Sequence, residues 1–210
     1  MAAHRALDSG LRERLVQETL ALLAEQGVEA LTLRRIARQA GVSHGAPLRH
    51  FRGRADLLSE VAARGFRALS EAVEKSDAQL AADAGAAARL RAGARAYVEC
   101  AVARPGLFAL MFRPEHLDPD NASYLAHGSA AFEQLRAKVA SAQRAGWHAE
   151  RNTRGLAGAV WASLHGLALL WSQGAFAGPI PGASLDDAID TTLELMLGDL
   201  PPGAPPGGTR

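Results

Sequence analysis

Between Ala30 and Phe51 the chain reads ALTLRRIARQAGVSHGAPLRHF, and this stretch decides the fold. Thr32 is a good N-cap for a short helix, Leu33 to Ala40, in which Leu33, Ile36 and Ala37 recur at helical spacing before Gly41 stops it. Ser43 predicts the cap of another short helix running to about Phe51, with Pro47 in or beside the first turn, where a missing N–H costs least. Two short helices around a glycine-containing turn make a helix-turn-helix, whose second helix enters the DNA major groove while the first crosses the backbone. The amino end of that second helix offers free amides to phosphate, and Gly45 and Ala46 permit close approach.

Charge supports the same expectation. No acidic residue falls between Glu29 and Asp56, whereas Arg34, Arg35, Arg38, Arg49, Arg52 and Arg54 do. Residues 1–54 hold nine arginines against five acids, a net of +4, and the remainder carries −3, so the overall +1 conceals a dipolar chain. An arginine run of this kind is often only a solvated helix face; the helix-turn-helix geometry favours a polyanion partner. Gly41 to Gly45 also matches G-x-S-x-G, the hydrolase nucleophile elbow, but that elbow needs a hydrophobic strand before it. Arg34 to Ala40 reads as a polar helix, so Ser43 is expected to cap and the chain is not expected to be an enzyme.

Outward from this block the pattern is all-α. Alanine, leucine, arginine and glutamate dominate, isoleucine occurs only at Ile36, Ile180 and Ile189, and there is no series of strand-like runs. About nine helices are expected: Leu11 to Glu25, the two short ones, a long one from Arg54 toward Leu80, then Ala86 to Ala103, a short one through Leu107 to Phe112, Ser123 to Ala145, Thr153 to Gln173 and Leu185 to Leu197. Domain boundaries are set at 9–54 for a three-helix head and 55–198 for a ligand-binding and dimerisation domain. The Pro/Gly-rich tail, 199–210, is expected to be disordered. The single Cys100 has no pairing partner in the chain, reads as a buried small apolar residue and fits a reducing compartment. The amino terminus lacks a signal-peptide pattern, and a cytoplasmic address is expected. No cofactor or metal site is expected.

The stretch from Ala30 to Ser43, with His50-Phe51 and Asp56-Leu57-Leu58, resembles the TetR family of bacterial transcriptional regulators. The resemblance covers about the first quarter of the chain. It implies a homodimer with a DNA-binding head and a divergent ligand-binding body. It further implies that Thr32, Ser43 and His50 hold phosphates, that Arg34, His44 and Ala46 face base edges, and that Arg54 holds the DNA backbone. The family usually has an aromatic, most often tyrosine, where this chain has Leu48, so Arg49 is expected to replace that phosphate contact; Arg54 stands where many members have lysine. Trp161 to Gly166, with Pro105 to Phe112 upstream, resembles the subgroup whose regulatory domain carries a Trp, His-Gly signature.

In the body, Gly155 to Leu185 lacks any charged side chain until Asp186, yet His165, Ser163, Ser172 and Gln173 argue against a membrane span. Gly158, Ala162 and Gly166 form a small-residue row, with Gly155, Ala159 and Ser163 in another beside it. Together with Leu185, Ile189, Leu193 and Met196 they are candidates for a four-helix interface across a two-fold, packing within one subunit being the alternative. Candidates for lining an effector cavity are Phe66, Tyr97, Phe108 and Met111, and also Phe112, Phe132, Trp161 and His165, with His165 the best polar group and plain core the alternative. The expected function is a ligand-responsive, sequence-specific DNA-binding regulator. It is expected to be a repressor, binding a pseudo-palindromic double-stranded operator as a homodimer and released by a small, largely apolar effector.

Overall fold

A computed structural model describes residues 2–198, with side chains from residue 10 onward. The expected disorder of 199–210 lies outside the described residues. Among those described there are eight α-helices and no strand: α1 (Ala2–Gln26), α2 (Leu33–Gln39), α3 (Arg54–Ala78), α4 (Ala86–Ala103), α5 (Pro105–Met111), α6 (Ala122–Arg144), α7 (Thr153–Ser172) and α8 (Leu185–Leu197). Three short 3-10 turns, Val28–Ala30, Pro47–Arg49 and Pro114–His116, complete the regular structure.

Local signals account for most boundaries. Thr32 Oγ1 accepts from the Arg35 amide at 3.2 Å and starts α2. Gly41, at φ 67°, ends it with a bond from Val42 N to Ala37 O, the 6→1 closure that a left-handed residue permits. Asn121, Asn152 and Ser184 cap α6, α7 and α8 through side-chain oxygens accepting from Tyr124, Gly155 and Asp187 amides.

The second helix of the expected pair does not form as an α-helix. From Ser43 to Phe51 the backbone winds through i→i−3 bonds, Ala46 N to Ser43 O, Arg49 N to Ala46 O and His50 N to Pro47 O, with a single i→i−4 bond from Phe51 N to Pro47 O. Pro47 is the physical reason: it has no N–H to give Ser43 O, which would have been the first full-turn bond. Ser43 consequently makes no capping bond, and the segment presents no helix amino terminus.

The described residues form two compact units. One joins 2–66 to 104–128, the other 67–103 to 129–198. This division by packing runs differently from the boundary read at 54/55, because α5 and the start of α6 pack with the amino-terminal helices. In the first unit α1 packs on α2 and α5. Its core is Leu15, Val16, Leu22, Leu23, Ile36, Phe51, Leu57, Leu58 and Val61. A Cβ at Gly65 would meet Met111 Sδ at 2.5 Å, so any larger residue there would have to displace that side chain. In the second unit α4 packs on α7 and α8 around Leu90, Val98, Leu164, Ala168, Ile189, Leu193 and Leu197. Arg91 donates to Leu197 O at 2.9 Å, and Arg95 joins α4 to Asp186 and Asp190 of α8.

Candidate functional site

The basic block sits on the outside of the first unit. Thr32, Arg34, Ser43, His44, Gly45 and Arg49 are exposed, and His50 is half-buried. Arg34 and Arg38 of α2 are exposed, Arg35 is half-buried, and none of these three, nor Arg49, has an ion-pair partner among the described residues. Their charge is available to solvent ions or to a polyanion. Thr32 uses its oxygen as an acceptor for the α2 cap and retains its hydroxyl hydrogen as a donor.

Two expectations need correcting here. Ala46, expected to face bases, is only 9% exposed and is packed inward beside the buried Pro47. The turns of 43–51 rotate it away from the surface that an α-helix would have given it, and Leu48 stands outward instead, 59% exposed. Arg54 is half-buried and donates through Nε to Leu31 O at 2.5 Å and through Nη2 to Val28 O at 2.8 Å. It ties the first turn of α3 to carbonyls around the Val28–Ala30 turn, which leaves fewer donors for phosphate. The hydrolase elbow also fails on geometry, since α2, a helix, precedes Gly41.

Arg52 differs from its neighbours in the block. Its Nη2 lies 2.7 Å from Asp118 Oδ2 and 3.6 Å from Asp56 Oδ1. The Asp56 carboxyl is pushed up by burial, but the Arg52 amide, the Asn121 amide and the Arg52 charge together hold it below its ordinary value. Sequence reading missed Asp118, because nothing local links it to a residue 66 positions earlier.

The cavity candidates fall into two clusters. In the first unit, Phe66 meets Phe112 edge-on at 5.4 Å and Tyr124 at 5.9 Å, and Phe108 meets Phe112 at 5.2 Å. Phe66, Phe108 and Met111 of this cluster are buried. In the second unit, the half-buried Tyr97 hydroxyl accepts from Trp161 Nε1 at 3.0 Å and lies 3.0 Å from His165 Nδ1. Burial raises the Tyr97 pKa and lowers that of His165. For Tyr97 to donate to His165 Nδ1, the ring must be neutral and carry its proton on Nε2. Phe132 lies edge-on to Trp161, and the Arg154 guanidinium sits 5.3 Å above the Phe132 ring. Cys100, expected buried, is half-exposed.

The dimer candidates divide by helix. On α8, Ile189 (0% exposed) and Leu193 are buried within the chain's own second unit, while Leu185 and Met196 are half-buried. On α7, Ala159, Ala162 and Ser163 are exposed, and a Cβ added at Gly158 or Gly166 would meet nothing within 4 Å. Leu169 and Leu170 continue that open face, with Leu170 48% exposed. By length and composition α7 is apolar enough to cross a membrane. Among the described residues no group of three or more His, Cys, Asp or Glu side chains is placed to hold a metal ion.

Helices throughout the described residues, with exposed arginines lacking ion-pair partners on α2 and the turns after it, define the class of a DNA-binding regulator. The particular family follows from comparison: the chain belongs to the TetR family. A family model described as bacterial regulatory proteins, tetR family, matches residues 15–61, and one described as the tetracyclin repressor-like C-terminal domain matches residues 90–196. The HTH-type transcriptional regulator SrpR of Pseudomonas putida is 42% identical over 52 residues, 25% of this chain and 24% of that one. The chain thus matches only about a quarter of that relative's length. A Rhodococcus sp. RHA1 protein of unknown function is 34% identical, with a TM-score of 0.77 over 90% of this chain and 95% of that one. The regulator FadR from Bacillus subtilis, solved in complex with stearoyl-CoA, shares the fold at 14% identity, with a TM-score of 0.66 over 88% of this chain and 96% of that one.

Proposed function

We propose that this TetR-family regulator is a repressor that binds a pseudo-palindromic operator as a homodimer and leaves it when a small, largely apolar effector enters the second unit. The observation carrying this reading is the set of exposed or half-exposed arginines without acidic partners, Arg34, Arg35, Arg38 and Arg49, beside the donors Thr32, Ser43, His44 and His50. Such a surface suits neutralising phosphates and releasing counterions, and in this reading Arg34, exposed on α2, is the residue that reads base edges. In functional terms 9–54 is the head and 55–198 the regulatory body.

The open face of α7 supports the dimer. A helix whose small and apolar residues face water is completed by a second copy, whose equivalent helix can approach closely across the glycines at 158 and 166. Half-sites about one DNA turn apart, roughly 34 Å, then match the two heads. Tyr97, Trp161 and His165 support the effector site, because this cluster combines aromatic surface with hydrogen-bonding groups that a ligand can re-pair. The stearoyl-CoA of the Bacillus subtilis relative makes an acyl thioester a suitable first compound to screen. Because α3 supplies residues to both units, a change around its carboxyl half is a route to Arg54 and the head. Coupling of about 1–3 kcal/mol gives a 5- to 150-fold loss of operator affinity. Binding to genomic DNA requires a cytoplasmic address.

The test is to sequence the DNA fragments that the purified protein retains, then to screen small molecules for release of the recovered site. A shared palindromic sequence and a releasing compound are expected. Retention of fragments with no common sequence, or none at all, overturns the reading.

A further inference from the structure

The geometry points to Asp118 as a positioning residue that withholds Arg52 from DNA, so that the loop between α5 and α6 sets how many arginines the head offers to phosphate. The inference rests on the DNA-binding reading given above. Among the described residues, Arg52 is the arginine of the acid-free window whose guanidinium faces carboxylates. It is a surface side chain, 63% exposed, three residues beyond Arg49, so once released from those carboxylates its guanidinium is accessible to a phosphate.

The loop is built to hold the acid in place. Leu117 is buried beneath it. The Asp118 amide donates to Ser59 Oγ at 2.8 Å, and Ser59 is fully buried in α3. Asp118 Oδ1 accepts from the Asp120 amide at 3.0 Å, which turns Oδ2 toward Arg52 Nη2. Asn121 Nδ2 donates to Asp56 Oδ1 at 2.8 Å, fixing the second carboxylate that Arg52 faces. Asp118 is thus oriented by two backbone-mediated bonds before the ion pair forms, and the ion pair needs no ordering of the acid. Tyr124, which donates to Met111 O at 3.3 Å and packs on Phe66, closes the same loop onto the aromatic cluster of the first unit. Any rearrangement that lifts the loop from α3 carries Asp118 away and adds a cation to the head.

The experiment measures binding of the full chain to a short duplex of mixed sequence across a salt series, for wild type, Asp118→Asn, Asp118→Ser, Arg52→Ala and the Arg52→Ala/Asp118→Asn double variant. Asn and Ser both retain an oxygen for the Asp120 amide, and the backbone bond to Ser59 is untouched, so two independent variants preserve the loop. Releasing one phosphate-binding arginine steepens the log–log salt slope by about 0.9 per protomer. A fourfold dilution of salt is therefore expected to strengthen binding of either Asp118 variant more than it strengthens wild-type binding, by about 3.5-fold per protomer and about twelvefold for a bound dimer. Arg52→Ala alone leaves the slope unchanged, and the double variant returns to it. If both Asp118 variants keep the wild-type slope, or the gain persists without Arg52, the inference is overturned. Failure of the wild type to bind duplex DNA at low salt instead removes the underlying reading of the head.

Discussion

The outer surface of α2 with the turns after it and the outer surface of α7 solve opposite problems. On the first, apolar side chains other than Leu48 are withdrawn and arginines stand unpaired. On the second, the exposed groups are Ala159, Ala162, Leu169 and Leu170, and the cations of that unit are largely occupied. Arg95 is held by Asp186, Asp190 and Glu99, Lys138 by Asp77, and Arg91 by a helix-end carbonyl. A surface that leaves charges without partners suits a polyanion; one that leaves small and branched apolar groups without partners suits another protein surface. The same chain therefore shows two unfinished faces, and each is unfinished in the currency of its proposed partner.

The comparison can be broken most forcefully on α7. Ala162→Arg places a charge on the proposed dimer face, where a two-fold would repeat it, so dimer dissociation is expected to rise by at least about a hundredfold, roughly 3 kcal/mol. Sedimentation equilibrium reads this, and an unchanged dimer would move the interface elsewhere. Next comes Arg54→Ala, which removes two charge-assisted bonds to Leu31 O and Val28 O and is expected to cost about 2–3 kcal/mol of stability. Thermal unfolding checks it; a normal melting temperature with a salt slope reduced by about one would return Arg54 to the DNA backbone. Arg34→Ala is expected to cost about 1–2 kcal/mol on the preferred sequence and little on other DNA, measured as the ratio of the two affinities.

The smallest effect contrasts a paired arginine with the unpaired ones. Arg64 grips Glu13 through both oxygens, at 2.6 and 2.5 Å, and holds its pKa down to about 2 from an ordinary 4.5. The folded pKa lies below the unfolded one, so the stabilisation is present above about pH 4.5 and is lost as pH falls toward 2. Glu13 is exposed, which limits the pair to about 1 kcal/mol. Glu13→Gln is expected to lower the melting temperature slightly at neutral pH and to match wild type near pH 2.

What was legible in the sequence was what local chemistry determines. The bounds of α4 and α8 coincide with those read from spacing and caps, since Ser184 and the residues around it act within one turn. The basic face was legible for the same reason: absence of acids between Glu29 and Asp56 is a property of contiguous residues. The path of 43–51 was not, because a proline beside a first turn is compatible with a helix and here removes its opening bond. Nor was the inward turn of Ile189 and Leu193, since an amphipathic helix has the same pattern whether its stripe meets its own subunit or a copy. The packing of 104–128 with the head, and with it the Arg52–Asp118 pair, depends on contacts across more than 60 positions that no local pattern encodes.

If the proposed head binds duplex DNA, exposed Leu48 is expected to leave a thermal signature on recognition. Where a phenol would give a hydrogen bond, this leucine offers only a surface from which water would depart under the duplex. Desolvation of that kind makes the heat capacity of association more negative and adds nothing to counterion release. Calorimetry at several temperatures, comparing the wild type with Leu48→Ala, separates this dry contact from the ionic ones around it.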